Sequence, residues 1–220
     1  NNPAVVDATP NQVTVDNVTQ VLYHVSKEEK IALLLGLLRQ RQVTRAIVFA
    51  NTKRTTESIH DHLEANGFES GMLSGDVPQK KRLRLLDKFV RGELPVLVAT
   101  DVAARGLHIP AVSHVVNFDL PQDAQDYVHR IGRTARVGAS GDAISFACEE
   151  WVYSLMDIEE FIGAALPTAP VTEELLAQVV APRQKPRSAR RHRPKRSGSG
   201  RAGGSRKRSG KGRRQSGKDA

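Results

Sequence analysis

The hydrophobic positions change period repeatedly along the first 165 residues, and the changes mark alternating helices and strands. Ser26-Lys27-Glu28-Glu29 has the spacing of a capping box, and Ile31, Leu34, Leu35 and Leu38 follow at helical intervals. Ala46-Ile47-Val48-Phe49-Ala50 is a continuous apolar run, too short for a helix and rich in strand formers, which predicts a strand buried on both faces. A helix is predicted near 55–65, ended by Asn66-Gly67, then a strand near 69–73, then a helix over 78–90 that opens on Pro78 and stops at Gly92. Further strands are predicted at 95–99, 114–118 and 143–147. Between and after them come a short helical stretch past Asp101, a helix from about Asp123 and an amphipathic segment over 149–162.

Strands alternating with helices predict an α/β fold with a mostly parallel sheet, right-handed crossovers and helices on both faces. Ligands of such sheets bind in the loops after the carboxyl ends of the strands. The residues to read for chemistry are therefore Asn51 to Arg54, Thr100-Asp101 through Arg105-Gly106, and Asp119-Leu120-Pro121 with the helix that follows.

Charge divides the chain in two. Lys and Arg number 33 against 24 Asp and Glu, a net charge of +9 with a pI near 10.0. Residues 183–220 hold 16 basic residues and Asp219 alone, a charge of +15, whereas 1–182 hold 17 basic and 23 acidic residues, a charge of −6. The tail, built from Arg, Lys, Ser, Gly and Pro, buries too little to offset its ordering entropy and is read as disordered. It contains no Phe, Tyr or Trp, so any RNA contact it makes is expected to be phosphate-directed, salt-sensitive and weakly selective. A solubilising tail is the competing reading, and anionic lipid is a second polyanion it would suit.

Composition excludes other classes. Cys148 is the single cysteine, which rules out an internal disulfide or a Cys-rich zinc site and points to a reducing, cytoplasmic setting. No apolar run approaches bilayer-spanning length. The chain opens Asn-Asn-Pro without an initiator Met or a signal pattern and reads as a fragment. His60 and His62 lie at i, i+2 on a predicted helix and point apart, so no metal site is expected. Cys148 reads as a buried structural thiol, and Trp151, Tyr153, Phe161 and Ile162 as core positions or a docking patch.

The predicted helix from Asp123 carries His129-Arg130-Ile131-Gly132-Arg133-Thr134-Ala135-Arg136. On a continuous helix Arg130, Arg133 and Arg136 share a broad face, with His129 over Arg133. Three converging guanidiniums call for an anion or facing carboxylates; a solvated basic helix balanced by Asp123 and Asp126 is the bland alternative.

Taken with Ile47 to Thr52, Gln79 to Arg82, and Ala99-Thr100-Asp101 through Ala104-Arg105-Gly106, this run resembles, in order and spacing, the motifs of the second RecA-like domain of DEAD-box RNA helicases. The resemblance covers about residues 15–165. It implies a three-layer RecA-like domain over 15–166, with a linker or disordered segment over 1–14, a linker or short helix over 167–182 and the basic tail over 183–220. It implies ATP with magnesium as cofactor, bound mainly by an N-terminal RecA-like domain, and RNA as partner. Arg133 and Arg136 match arginine fingers that reach the γ-phosphate, an arrangement worth about 10³ to 10⁵ in rate in related hydrolases. His129 and Arg130 match residues that couple the two domains on closure. Arg54, Gly75, Gln79, Arg82 and Thr100 fall where the family meets the RNA backbone, and Asp101 and Arg105 match loop-organising residues, Arg105 beside the nucleotide.

Two positions depart from the family pattern. Ala135 stands where Gly is usual, and His108 stands where an Asp suited to a ribose hydroxyl is common, which leaves His108 as a nucleotide residue of altered chemistry. The chain contains neither a G-x-x-x-x-G-K-[ST] loop nor an Asp-Glu-Ala-Asp box, so by itself it is expected to be inactive. Leu107-His108-Ile109-Pro110, Gly138 to Gly141 and the basic tail are most similar to members associated with the bacterial RNA degradosome. That implies a role in RNA degradation with the ribonuclease E scaffold as partner, and an alternative in which the chain is a non-catalytic docking module for ribonuclease E with an RNA-tethering tail.

Overall fold

The computed structural model describes residues 18–41, 43–107, 109, 112–134 and 141–183. All lie in the first of the two units into which the chain divides, at Gln184. His108, Ala135, Arg136, the 1–14 segment and the basic tail from Gln184 onward fall outside the described residues.

Seven strands form one sheet: β1 (Val18–His24), β2 (Ala46–Phe49), β3 (Ser70–Leu73), β4 (Val96–Ala99), β5 (His114–Asn117), β6 (Gly141–Ala147) and β7 (Thr168–Ala169). Their order is β3-β4-β2-β5-β6-β1-β7, and every pairing is parallel. Among the described residues six α-helices connect them: α1 (Lys30–Gln40), α2 (Lys53–Ala65), α3 (Gln79–Val90), α4 (Asp101–Ala104), α5 (Ala124–Ile131) and α6 (Ser154–Ile162). The central strands β2, β4 and β5 are buried along their whole length, as continuous apolar runs require when helices cover both faces.

Alternation along those strands sorts the core into two faces. Val48, Val98, Val116 and Phe146 point to the side covered by α1 and α2, packing with Leu33, Leu35, Ile59 and Leu63. Ile47, Phe49, Leu97 and Val115 point to the opposite side, where Leu86 and Phe89 of α3 and Ala103 and Ala104 of α4 meet them. Tyr127, Val128 and Ile131 of α5 and Ile158 of α6 continue that second layer over β1 and β6.

Three local expectations change. The capping box is not formed: Ser26 Oγ donates to Glu29 Oε2 at 2.7 Å, and α1 starts at Lys30 with no side-chain cap. The physical reason is a turn over 27–29, in which the Lys27 N–H is directed at the Glu149 carboxylate across the sheet edge. The helix from Asp123, which does cap it by accepting from the Gln125 N–H, ends at Ile131 rather than running on through Arg136. Gly132 caps its carboxyl end, and Arg133 and Thr134 close tighter i to i−3 turns.

Residues 167–182, expected as a linker or short helix, carry β7 beside β1 and a 3-10 turn, Glu173–Leu175, laid over α1. The Ala177 N–H donates to the Ala32 carbonyl at 3.1 Å, and Gln40 Nε2 to the Glu174 carbonyl at 2.6 Å. Farther on, Asn66 and Val180 exchange two hydrogen bonds of 2.9 Å. This strap explains why Leu33 through Leu38 are all buried, wider than one face of an amphipathic helix.

Candidate functional site

At the carboxyl edge of the sheet a cavity of about 260 Å³ is lined by Phe49, Asp101, Ala104, Arg105, Asp126, His129, Arg130 and Arg133. Its frame is the Arg130 side chain, only 1 % exposed and lying over the Phe49 ring at 5.1 Å. Each guanidinium N–H has an acceptor. Nε and Nη2 hold both oxygens of Asp101 at 2.7 and 2.6 Å; Nη2 also donates to Asn51 Oδ1 at 2.9 Å. Nη1 donates to the Asp119 carbonyl at 2.6 Å and to Asn117 Oδ1 at 3.4 Å. Five donors meeting five acceptors is the condition under which a buried charge is tolerated.

This changes the reading of the arginine run. Arg130 does not share an open face with Arg133: it points inward and ties the ends of β2, β4 and β5 to α5. Asp101, read as a loop-organising carboxylate, is its main counter-ion from the first turn of α4. Arg133 lies one residue past the α5 cap, on the rim of the cavity. Its backbone is fixed there because its carbonyl accepts from the Val112 N–H at 3.1 Å, while the next residue's hydroxyl, Thr134 Oγ1, donates to the Val112 carbonyl at 2.6 Å.

Arg105 Nη2 bridges to Asp126 Oδ1 at 2.7 Å and closes the cavity wall between α4 and α5. The same Asp126 oxygen lies 3.8 Å from His129 Nδ1, and the His129 side chain is exposed. Arg105, His129, Arg130 and Arg133 are thus brought together in one cavity.

The residues expected at an RNA backbone form a second group on the β3-β4-β2 half of the same edge. Arg54 is exposed in the first turn of α2, which Thr52 caps by accepting from the Thr55 N–H at 3.0 Å. Gly75 and Gln79 are exposed on the loop into α3 and at its first turn, with Lys53 Nζ bound to Asp76 Oδ1 at 2.7 Å across them. Any side chain at Gly75 would touch the Lys53 stem, at 3.6 Å. Arg82 reaches back to the Ser74 carbonyl at a long 3.4 Å, and its buried Nε lacks a protein acceptor, the condition an incoming anion would relieve. Thr100 is buried, and its hydroxyl accepts from the Ala103 N–H at 3.4 Å as the cap of α4.

Sequence reasoning passed over Lys30 and Asn117, and placed Asp119 among the loop residues to read without giving it a role. Asp119 follows β5, where parallel sheets carry ligands, and that was its available signal. A lysine opening an amphipathic helix gives none. Elsewhere Cys148 is buried against Lys30 Nζ at 3.6 Å, His60 Nδ1 pairs with Ser70 Oγ at 2.7 Å, and His62 Nδ1 meets its own helix at the Ser58 carbonyl. Trp151 and Ile162 pack on the core, while Tyr153, Met156 and Phe161 of the α6 region remain exposed. No helix among the described residues is long and apolar enough to cross a membrane.

The helicase conserved C-terminal domain model matches residues 29–138, half of the chain and all of this edge. The chain belongs to that family. Among curated relatives, this helicase domain is 51% identical over 199 residues to the ATP-dependent RNA helicase RhlB of Cronobacter sakazakii, covering 90% of this chain and 47% of the relative. It is 54% identical over 176 residues to RhlB of Salmonella paratyphi B, covering 80% and 42%. The chain spans about half the length of the curated relatives it matches. Among solved structures, E. coli DEAD-box protein SrmB bound to regulator of ribonuclease activity A matches with a TM-score of 0.68 at 39% identity, over 76% of this chain and 98% of that one. S. cerevisiae Dbp5 bound to RNA and ADP BeF3 matches with a TM-score of 0.66 at 36% identity, over 71% and 42%. The fold is accordingly the RecA-like C-terminal domain of RhlB-type DEAD-box helicases.

Proposed function

We propose that this domain is the C-terminal half of an ATP-dependent RNA helicase that separates short RNA duplexes locally. The observation that carries the reading is the split edge of the sheet. One half is a cavity rimmed by Arg133 and framed by a locked Arg130, and the adjoining half carries Arg54, Gly75, Gln79 and the under-satisfied Arg82. ATP with magnesium, held mainly by an N-terminal RecA-like domain, would face the first half, and an RNA backbone would lie on the second. Closure brings Arg133 and Arg136 to the γ-phosphate, where planar, permanently charged guanidiniums match the charge spread over phosphoryl oxygens. His129 couples the two domains, Arg105 sets the nucleotide side of the loop, and His108 takes the ribose position.

The test is RNA-stimulated ATP hydrolysis by the full-length enzyme. Arg133→Ala and Arg136→Ala are each expected to lower kcat by about 10³-fold or more with RNA affinity preserved. Normal RNA-stimulated turnover in either variant would sink the finger assignment.

The cellular setting we propose is cytoplasmic RNA degradation with the ribonuclease E scaffold, supported by the degradosome-type sequence runs around His108 and Gly138. A second reading, a docking module for ribonuclease E with an RNA-tethering tail, is favoured by the exposed Tyr153, Met156 and Phe161. Calorimetry of residues 1–182 against the scaffold segment tests the docking, which predicts heat of binding without the tail; no heat of binding would refute it.

A further inference from the structure

Among the described residues, the most deeply buried charge outside the arginine run is Lys30, 2 % exposed, at the first position of α1. Its ammonium donates to Asp119 Oδ1 at 2.6 Å, sits 4.3 Å from the centre of the Phe118 ring and lies 3.6 Å from Cys148 Sγ. Asp119 is itself 3 % exposed and works in two further directions. Its Oδ2 accepts the Asn51 N–H at 3.0 Å, and its backbone carbonyl accepts from Arg130 Nη1 at 2.6 Å. Asn51 in turn accepts through Oδ1 from Arg130 Nη2 and donates through Nδ2 to the Leu120 carbonyl at 2.8 Å. A polar crossbar therefore runs over the carboxyl edge of the sheet, from Lys30 in the α1 and α2 layer, through Asp119 and Asn51, to Arg130 and Asp101 in the α4 and α5 layer.

Buried ion pairs are poor stabilisers, because removing two charges from water costs about as much as their attraction returns, and apolar replacements are often neutral or better. A pair retained at this depth is better explained by the geometry it imposes. Lys30 has one carboxylate partner, and that carboxylate joins the ends of β5 and β2, whose Asp119 carbonyl and Asn51 Oδ1 accept from Arg130. Arg130 anchors the end of α5, three residues before Arg133.

We infer that Lys30 is a positioning residue for ATP hydrolysis. Through Asp119 and Asn51 it sets the orientation of Arg130 and so the place from which Arg133 is presented. The inference rests on the helicase reading above. It adds a layer of the fold that touches neither nucleotide nor RNA.

In the full-length enzyme, Lys30→Met is expected to lower RNA-stimulated kcat by about ten- to a hundredfold, the scale on which small misplacements act, with KM for ATP and RNA affinity within about twofold of wild type. Lys30→Met leaves Asp119 as a buried, unpaired carboxylate and is expected to unfold more easily, so Lys30→Met combined with Asp119→Asn is the companion variant. It removes both charges of the Lys30–Asp119 pair, leaves neither partner buried alone, and should recover the wild-type unfolding temperature while kcat stays low. If the double variant regains both stability and kcat, Lys30 is only structural and the inference is overturned; the same holds if folded Lys30→Met turns over at the wild-type rate. Arg133→Ala measured alongside separates the two claims. Its retaining full ATPase removes the finger assignment and this inference together, whereas its loss beside a normal Lys30→Met removes this inference alone.

Discussion

Replacing Gly36 with alanine sets two effects of opposite sign against each other. Gly36 lies in the interior of α1, where an alanine ordinarily stabilises a helix by about 1 kcal/mol through lower backbone entropy. Here the strap crosses directly above it. A Cβ at position 36 would stand 2.8 Å from the Leu175 carbonyl carbon and closer still to its oxygen. Both are backbone atoms, so the strap must retreat by about 1 Å or more to restore ordinary contact. Retreat strains or breaks the Ala177 to Ala32 and Gln40 to Glu174 hydrogen bonds, each worth about 1 kcal/mol net. It also uncovers part of Leu175 and Leu176, about 1 kcal/mol each for side chains that are half-buried at the start. Against this loss of about 4 kcal/mol stand the helix gain and some entropy returned to the loosened strap. The net expectation is a destabilisation of about 2 kcal/mol, a fall in Tm of roughly 4–8 °C for a domain of this size. Thermal unfolding of the 220-residue chain followed by circular dichroism reads it. The control is the same substitution in a chain ending at Thr172, where the strap is absent and Gly36→Ala is expected to be neutral or to stabilise by up to about 1 kcal/mol. An unchanged or higher Tm in the full chain would refute the strap argument, as would an equal loss in the shortened one.

Arg130→Lys keeps the charge but offers three donors where five acceptors wait, leaving Asp101 and Asn51 short of partners; chemical denaturation should show a loss of about 3–5 kcal/mol, and a loss below about 1 kcal/mol would mean the five-way geometry is not what holds the edge. His114 is held below the usual imidazole pKa of 6.5, chiefly by burial and further by the Arg41 charge, with Asp142 opposing. The unfolded chain therefore binds the extra proton first as pH falls through 6.5, so the contribution of neutral His114 is present above that value and is lost below it, with a slope of at most about 1.4 kcal/mol per pH unit. Urea midpoints at pH 7.5 and 5.5 should separate less in His114→Gln than in wild type; identical separations would refute the linkage. Tyr127 is pushed up to about 12 by burial, above the usual tyrosine value of 10.0, so the folded state resists its ionisation and stability is expected to fall as pH rises past 10, a loss that Tyr127→Phe should reduce in the same assay.

The central strands were legible because burial on both faces leaves an unmistakable trace: Ile47, Val48 and Phe49, or Val96, Leu97 and Val98, form continuous apolar runs of strand length. β1 was not, since Val18-Thr19-Gln20-Val21 mixes exposed and buried positions and earns its place by pairing with β6 along seven residues. β7 has two residues and exists only because β1 offers it an edge, a tertiary cause with no local signature. Strand ends located the site to within a few residues, but helical spacing misjudged Arg130. It grouped residues 130 and 133 on one face, whereas Gly132 ends α5 and sends the two side chains to different work. Lys30 was the least legible. Its neighbours Ile31, Leu34 and Leu38 make it look like the polar margin of an amphipathic helix, and only the arrival of Asp119, 89 residues later, makes it interior.

Burial also decides how the arginines divide their labour. A guanidinium can orient a loop or meet a phosphate, but with all five N–H groups engaged by Asp101, Asn51, Asn117 and Asp119 it cannot do both without dismantling the edge of the sheet. Arg130 is therefore the anchor, and under the proposed finger assignment phosphate chemistry falls to residues beyond the helix cap, beginning with Arg133. The position of the cap matters for the same reason. Had α5 continued through Gly132, Arg133 would have been carried round the helix by its 100° per residue and off the backbone anchor it finds at Val112. Ending the helix there lets one short segment supply a buried pivot and a half-buried arginine that lines the cavity, with the hydrogen bonds to Val112 fixing the backbone between them. On the proposed function the body's negative charge of −6 is no obstacle to a polyanion, because contact then depends on where single arginines stand along one edge, not on a basic surface field.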